Sequence, residues 1–190
     1  MSKLKPIYLL IFSILALAVA KVVTIVHLDF GGYYLDVERA VFLVTVIGVF
    51  YFYTDSFSKL KRHAVFLVAL VGLSLLAGWI LQFDPMRVLV AFVMTALVEE
   101  ILLRAALFEP LIQRGIKGWK IILGTALFFT LVHPAIYSDY LYGVMVLATG
   151  ILLGAIYLNV RRKYGVVYGL LWASAVHTWI IILGWKLAVI

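Results

Sequence analysis

The sequence predicts an all-α protein: a polytopic bundle of about seven transmembrane helices with its N-terminus in the cytoplasm. Three observations carry this. Of 190 residues, 66% are hydrophobic and only 13% are charged, where a soluble chain needs about a quarter charged. Apolar runs of about 20 residues, the length that crosses a bilayer as helix, recur from end to end. The basic residues sit in short loops and fall on one side once the runs alternate.

In chain order, span 1 is expected from Pro6 to Val26, behind Lys3 and Lys5, with Lys21 able to snorkel. A loop with Asp29, Gly31, Gly32, Asp36 and Glu38 leads to a short span 2, Arg39 to Tyr53. Lys59, Lys61 and Arg62 precede span 3, Ala64 to Leu81. A tight Asp84-Pro85 turn follows, and proline there favours a helix start. Span 4 runs from Met86 to Phe108, and Pro110 disfavours helix in the residue before it. Arg114, Lys117 and Lys120 form the next loop, with Gly115 and Gly118 as breakers. Span 5 starts near Trp119, span 6 covers Leu141 to Val160, and span 7 covers Val166 to Trp185. On this layout eleven Lys and Arg lie on the N-terminal side: 3, 5, 59, 61, 62, 114, 117, 120 and 161 to 163. Only Arg39, Arg87 and Lys186 lie opposite. That bias places the N-terminus inside and the C-terminus outside.

The whole chain, 1–190, reads as one membrane domain without an appended soluble unit or a cleavable signal peptide. With no cysteine, disulfides, thiolate catalysis and cysteine-ligated zinc are excluded. The net charge of +7 follows from topology and does not call for a nucleic-acid partner. The expected partner is the bilayer.

Chemistry concentrates in span 4, at Val98-Glu99-Glu100-Ile101-Leu102-Leu103-Arg104. A charge in hydrocarbon costs about 2.5–3.5 kcal/mol on insertion scales and defaults to function. Glu100 and Arg104 are spaced i,i+4 and can pair on one helix face. Glu99 lies about 100° round the helix and has no local partner, which suits a general base. A structural ion pair accounts for Glu100 and Arg104 but not for the second glutamate. His133 and His177, in spans 5 and 7, are the other ionisable groups at depth; His27 and His63 sit at span ends. Either histidine alone reads as an interhelical hydrogen-bond donor. Together with a spare carboxylate at similar depth they suit hydrolysis. Glutamate activates water, and histidine stabilises the oxyanion. The same three side chains, Glu99, His133 and His177, are also a donor set for zinc or another divalent metal. There is no HExxH signature.

The order EEILLR, FTLVH and a histidine in the last span resembles the type II CAAX prenyl protease and bacteriocin-processing (CPBP, or Abi) family, whose pattern is EExxxR, FxxxH and a later histidine. The resemblance spans residues 88 to 185, and implies a catalytic core of about 86–186. It implies an intramembrane endopeptidase in which Glu99 activates water, Glu100 and Arg104 form a supporting pair, and His133 and His177 stabilise the transition state. In an older view of the family these residues hold a metal. Phe129 matches the motif aromatic, as core packing or cavity lining. The family's polar residue four after the last histidine is Ile181 here, and Ser174 or Thr178 are the nearest substitutes for it. No cofactor is expected, with zinc or another divalent ion as the alternative. The substrate would be a CAAX-like tail or a prokaryotic C-terminal sorting or anchor signal, and the location a prokaryotic cell membrane. The alternative is a catalytically silent membrane scaffold or regulator. A carrier is disfavoured, because no internal repeat supplies inverted symmetry.

Overall fold

The computed structural model describes residues 28–29, 34–35, 57–131, 133, 137 and 139–187; the expected spans 1 and 2 lie outside them. Leu28–Asp29 (β1) and Tyr34–Leu35 (β2) form a two-residue antiparallel pairing. Everything else of regular structure among the described residues is helical. α1 is Phe57–Ile80. α2 is a continuous helical rod over residues 85–113. α3 is Gly118–Leu131, α4 is Tyr140–Tyr164 and α5 is Val166–Lys186.

Three of these, α1 from Lys61, α4 and α5, are long and apolar enough to cross a membrane. α5 is the central one, with 56% of its apolar window buried against 22% for α1 and 33% for α4. The outer helices turn Val65, Val68, Leu76, Trp79, Leu141 and Leu152 outward, as a lipid-facing surface requires. The core joins Phe92, Leu97, Ile101 and Phe108 of α2 to Ile121 of α3, Tyr157 of α4 and Leu170, Leu171 and Ala175 of α5.

Local chemistry explains the helix ends. Asp84 caps α2 by accepting from the Met86 amide at 2.9 Å, with Pro85 at the first helical position, as the Asp-Pro turn predicts. Asp139 caps α4 by accepting from the Tyr142 amide at 3.0 Å. Gly165, at φ +97°, is the single residue between α4 and α5, a conformation that residues with a Cβ rarely adopt. At the opposite end of α5, the Arg87 guanidinium lies 4.0 Å from the Trp185 ring centroid.

α2 departs from the expected regular helix. Its α-helical Pro85–Val90, Leu97–Glu100 and Glu109–Gln113 segments alternate with π-helical Ala91–Ala96 and Ile101–Phe108. The expected break before Pro110 does not occur: helix continues through Glu109 to Gln113. Proline removes an N–H and crowds the carbonyl four residues back. Wider winding relieves that conflict, and the Glu109 amide bonds to the Arg104 carbonyl five residues back. Such adjustments keep proline tolerable in membrane helices.

Small residues bring the helices together around this rod. A Cβ on Gly150 of α4 would stand 3.1 Å from the Ala126 Cα of α3, and one on Gly154 would stand 3.3 Å from Ile122. Backbones approach closely where side chains are absent. A polar bond ties α1 to α5: Trp179 Nε1 donates to Ser74 Oγ at 3.1 Å.

Candidate active site

Glu99 and Glu100 occupy the short α-helical segment of α2 between its two π-helical stretches. Wide turns are uncommon and recur at functional sites. Here they flank both carboxylates.

Glu100 is fully buried and Arg104 nearly so. Arg104 Nε donates to Glu100 Oε2 at 2.8 Å, so the pair expected from i,i+4 spacing forms. The rest of the guanidinium is held by tertiary structure. Nη1 reaches Thr125 Oγ1 of α3 and Nη2 reaches the Gly150 carbonyl of α4, both at 3.4 Å. The missing side chain at Gly150 lets α3 and α4 approach there. The guanidinium carbon also stands 4.9 Å from the Phe108 ring centroid.

Glu100 has a second neighbour that spacing does not reveal. His177 of α5 places Nδ1 3.3 Å from Glu100 Oε1 and Nε2 3.7 Å from Glu99 Oε2. Among the described residues, Glu100 Oε1 and His177 Nδ1 are the buried side-chain polar atoms without a well-formed hydrogen bond. They face each other. A carboxylate only accepts, so the proton between them belongs on His177 Nδ1, an assignment made from the network. The imidazole is therefore oriented with Nε2 towards Glu99. Glu99 is the open member of the pair, with 30% of its side chain exposed against 0% for Glu100.

His133 follows the end of α3. Its amide bonds to the Thr130 carbonyl at 3.1 Å, and its ring Nδ1 donates to the Phe129 carbonyl at 2.7 Å. The side chain thus satisfies an acceptor that the ended helix leaves without an amide. A carbonyl cannot donate, so Nδ1 carries the proton and Nε2 is available. Phe129 is buried and stands edge-on to His133 at 4.4 Å and to His177 at 6.1 Å between centroids. It serves both of its expected places, as core and as cavity wall.

A cavity of about 400 Å³ opens beside the two histidines, between α4 and α5. His133, Phe129 and His177 form its inner part; Tyr142, Met145, Val146, Thr149, Ile180 and Ile181 extend it along the two helices. Ile181 lines this apolar channel. Ser174 and Thr178 do not: both are completely buried, and their hydroxyls donate to the Leu170 and Ser174 carbonyls of their own helix at 2.8 and 2.9 Å. Tyr142 and Thr149 are the hydroxyl-bearing side chains on the channel wall, and sequence reasoning did not single them out.

The metal alternative fits less well. Glu99 and His177 stand at a separation two ligands of one ion can have, but catalytic zinc takes three protein ligands. Among the described residues, no group of three or more His, Asp and Glu side chains is arranged to hold an ion.

A second buried ionic cluster lies further along α2. Glu109, 2% exposed, accepts from Tyr157 Oη at 2.5 Å, from Arg161 Nη2 at 2.7 Å and from Arg161 Nε. Spacing gives no hint of it, because all of its partners are on α4.

No curated protein and no solved structure matches the chain. The family described as type II CAAX prenyl endopeptidase Rce1-like matches residues 81–183, just over half of the chain, and that stretch contains Glu99, Glu100, Arg104, His133 and His177. The chain belongs to the type II CAAX prenyl endopeptidase Rce1-like family, whose members are generally proteases, and it is an integral membrane protein.

Proposed function

We propose that this chain is an intramembrane endopeptidase that hydrolyses a peptide bond near the C-terminus of a membrane-anchored protein. The observation that carries the proposal is the line Glu99, His177, Glu100, in which one carboxylate orients the imidazole, the other faces its free nitrogen, and the imidazole itself lines an apolar channel.

Glu99 takes a proton from water as the oxygen attacks the scissile carbonyl carbon. The resulting oxyanion is stabilised by donation from the histidines in their protonated form. When the C–N bond breaks, the proton held by Glu99 passes to the departing amine. Glu100 and Arg104 act through His177 as positioning residues. The base does not require a resident metal.

The channel between α4 and α5 suits an extended peptide whose apolar side chains stay in the bilayer, either a CAAX-like tail or a prokaryotic C-terminal sorting signal. The same reading keeps seven spans, the N-terminus in the cytoplasm, a catalytic core of about 86–186 and a prokaryotic cell membrane.

The test is C-terminal proteomics of membranes carrying wild type or Glu99→Gln at matched levels. New C-termini with wild type alone are expected. They would name the substrates and the membrane face of the cut. Identical termini with both proteins folded and inserted would overturn the proposal in favour of a silent scaffold. Metal analysis of purified active protein checks the base, since a stoichiometric divalent ion would reassign Glu99 and His177 as ligands.

A further inference from the structure

A second cavity, of about 310 Å³, lies away from the carboxylates, at the opposite end of α5 from Trp185. Its walls are Lys59, Arg62 and His63 from α1, and Tyr164, Gly165, Val166, Val167 and Tyr168 from the α4–α5 junction. Among the described residues, none that lines it is acidic. We propose that this cavity is a binding site for a phosphate group, and that the group is the headgroup phosphate of an anionic phospholipid.

Three independent features converge on the same small volume. The first is charge. Lys59 and Arg62 are exposed and lie on one face of α1, three residues apart. The nearby Arg161 is committed to Glu109, outside the cavity.

The second feature is the start of α5. Its N-cap, Gly165, has no side chain to cap with, and the first amide bonded back to the junction is that of Gly169, to the Gly165 carbonyl at 3.1 Å. The amides of Val166, Val167 and Tyr168 therefore have no intrahelical acceptor. They belong to cavity-lining residues at the positive end of a long helix, an arrangement that favours an anion.

The third feature is position. The cavity sits at a shared end of α1 and α5, two of the three helices long enough to span, an end that the proposed topology puts at the bilayer surface. Tyr164 and Tyr168 flank it, with centroids 6.4 Å apart, and the buried His63 stands edge-on to Tyr168 at 5.0 Å. Tyrosine at this level marks the headgroup zone. Basic pockets between membrane helices on the cytoplasmic side take anionic headgroups, and the inference rests on the proposed topology, in which the basic loops of this chain share that side. A lipid also satisfies the apolar flank of the site, where the partly exposed Val166 would meet the start of an acyl chain.

The site is testable with the full chain in nanodiscs. Native mass spectrometry would count phosphatidylglycerol retained from discs of phosphatidylcholine doped with it. Wild type, Lys59→Gln/Arg62→Gln and Arg114→Gln/Lys117→Gln would be compared. The second pair removes the same charge from another loop on the same membrane face. Retention is expected to fall roughly 25-fold in the first pair, about fivefold per cation, and to hold in the second. A parallel titration of inorganic phosphate into pure phosphatidylcholine discs separates the two phosphate sources. Saturable uptake without retained phosphatidylglycerol would sustain the phosphate site and overturn the lipid as its source. Equal retention in all three proteins, without saturable phosphate uptake, would overturn the site.

Discussion

α2 carries two buried carboxylates paired with arginine, and they are built to different ends. Glu109 is engaged on both oxygens. Arg161 grips both of its oxygens, and Tyr157 adds a third donor. Glu100 is committed on one oxygen only. Its other oxygen faces a histidine whose second nitrogen points to a further, more open carboxylate, Glu99. The first cluster engages both carboxylate oxygens within the protein and joins α2 to α4. The second hands its charge onward to a channel wall. A buried ion pair thus says little about function until its remaining lone pairs are followed.

The largest expected effect separates Glu99 from both clusters. Glu99→Gln keeps size and removes the base. Turnover on a cleaved peptide should fall by about 10²–10⁴-fold, with thermal unfolding unchanged. A variant that kept turnover would move the base elsewhere. Glu109→Ala should do the reverse. Stranding Arg161 and Tyr157 should cost about 3–5 kcal/mol of stability, read by unfolding in detergent, while turnover per folded molecule stays at the wild-type level. Loss of turnover at full stability would erase the contrast between the clusters.

Glu100→Gln should show both signatures in milder form. Stability should drop by about 1–3 kcal/mol as Arg104 loses its charged acceptor. Turnover should drop too, because His177 loses its orienting carboxylate. A change in stability alone would make Glu100 a second Glu109. The smallest effect is expected from Ser174→Ala and Thr178→Val. These hydroxyls serve their own helix, so stability should shift by about 1 kcal/mol or less and turnover should hold. A large loss of turnover would bring a hydroxyl of α5 back to the channel.

Much of this was legible in the chain because it is local. The apolar runs, the Asp84-Pro85 helix start and the Glu100–Arg104 pair depend on residues within a turn of each other, where helical spacing settles who can meet. The EExxxR, FxxxH and final histidine pattern also identified the family. The helix through Pro110 was not legible. Proline opposes helix locally, and wide winding that reroutes the Glu109 amide to Arg104 overrides it. Glu109 was passed over because its partners lie on α4 and appear as ordinary residues of a span and a basic loop.

By itself the sequence determined that the chain is a helical membrane protein and that Glu99, Glu100 and Arg104 share one apolar helix, since hydrophobic length and helical period are properties of short segments. Only the tertiary structure decided which of them meet. The crossing of α5 beside the Leu97–Glu100 segment sets His177 between the two glutamates, and the contact of Gly150 with Ala126 brings two further acceptors to Arg104. Both depend on helix packing, which joins residues far apart in the chain through shapes that no local spacing contains.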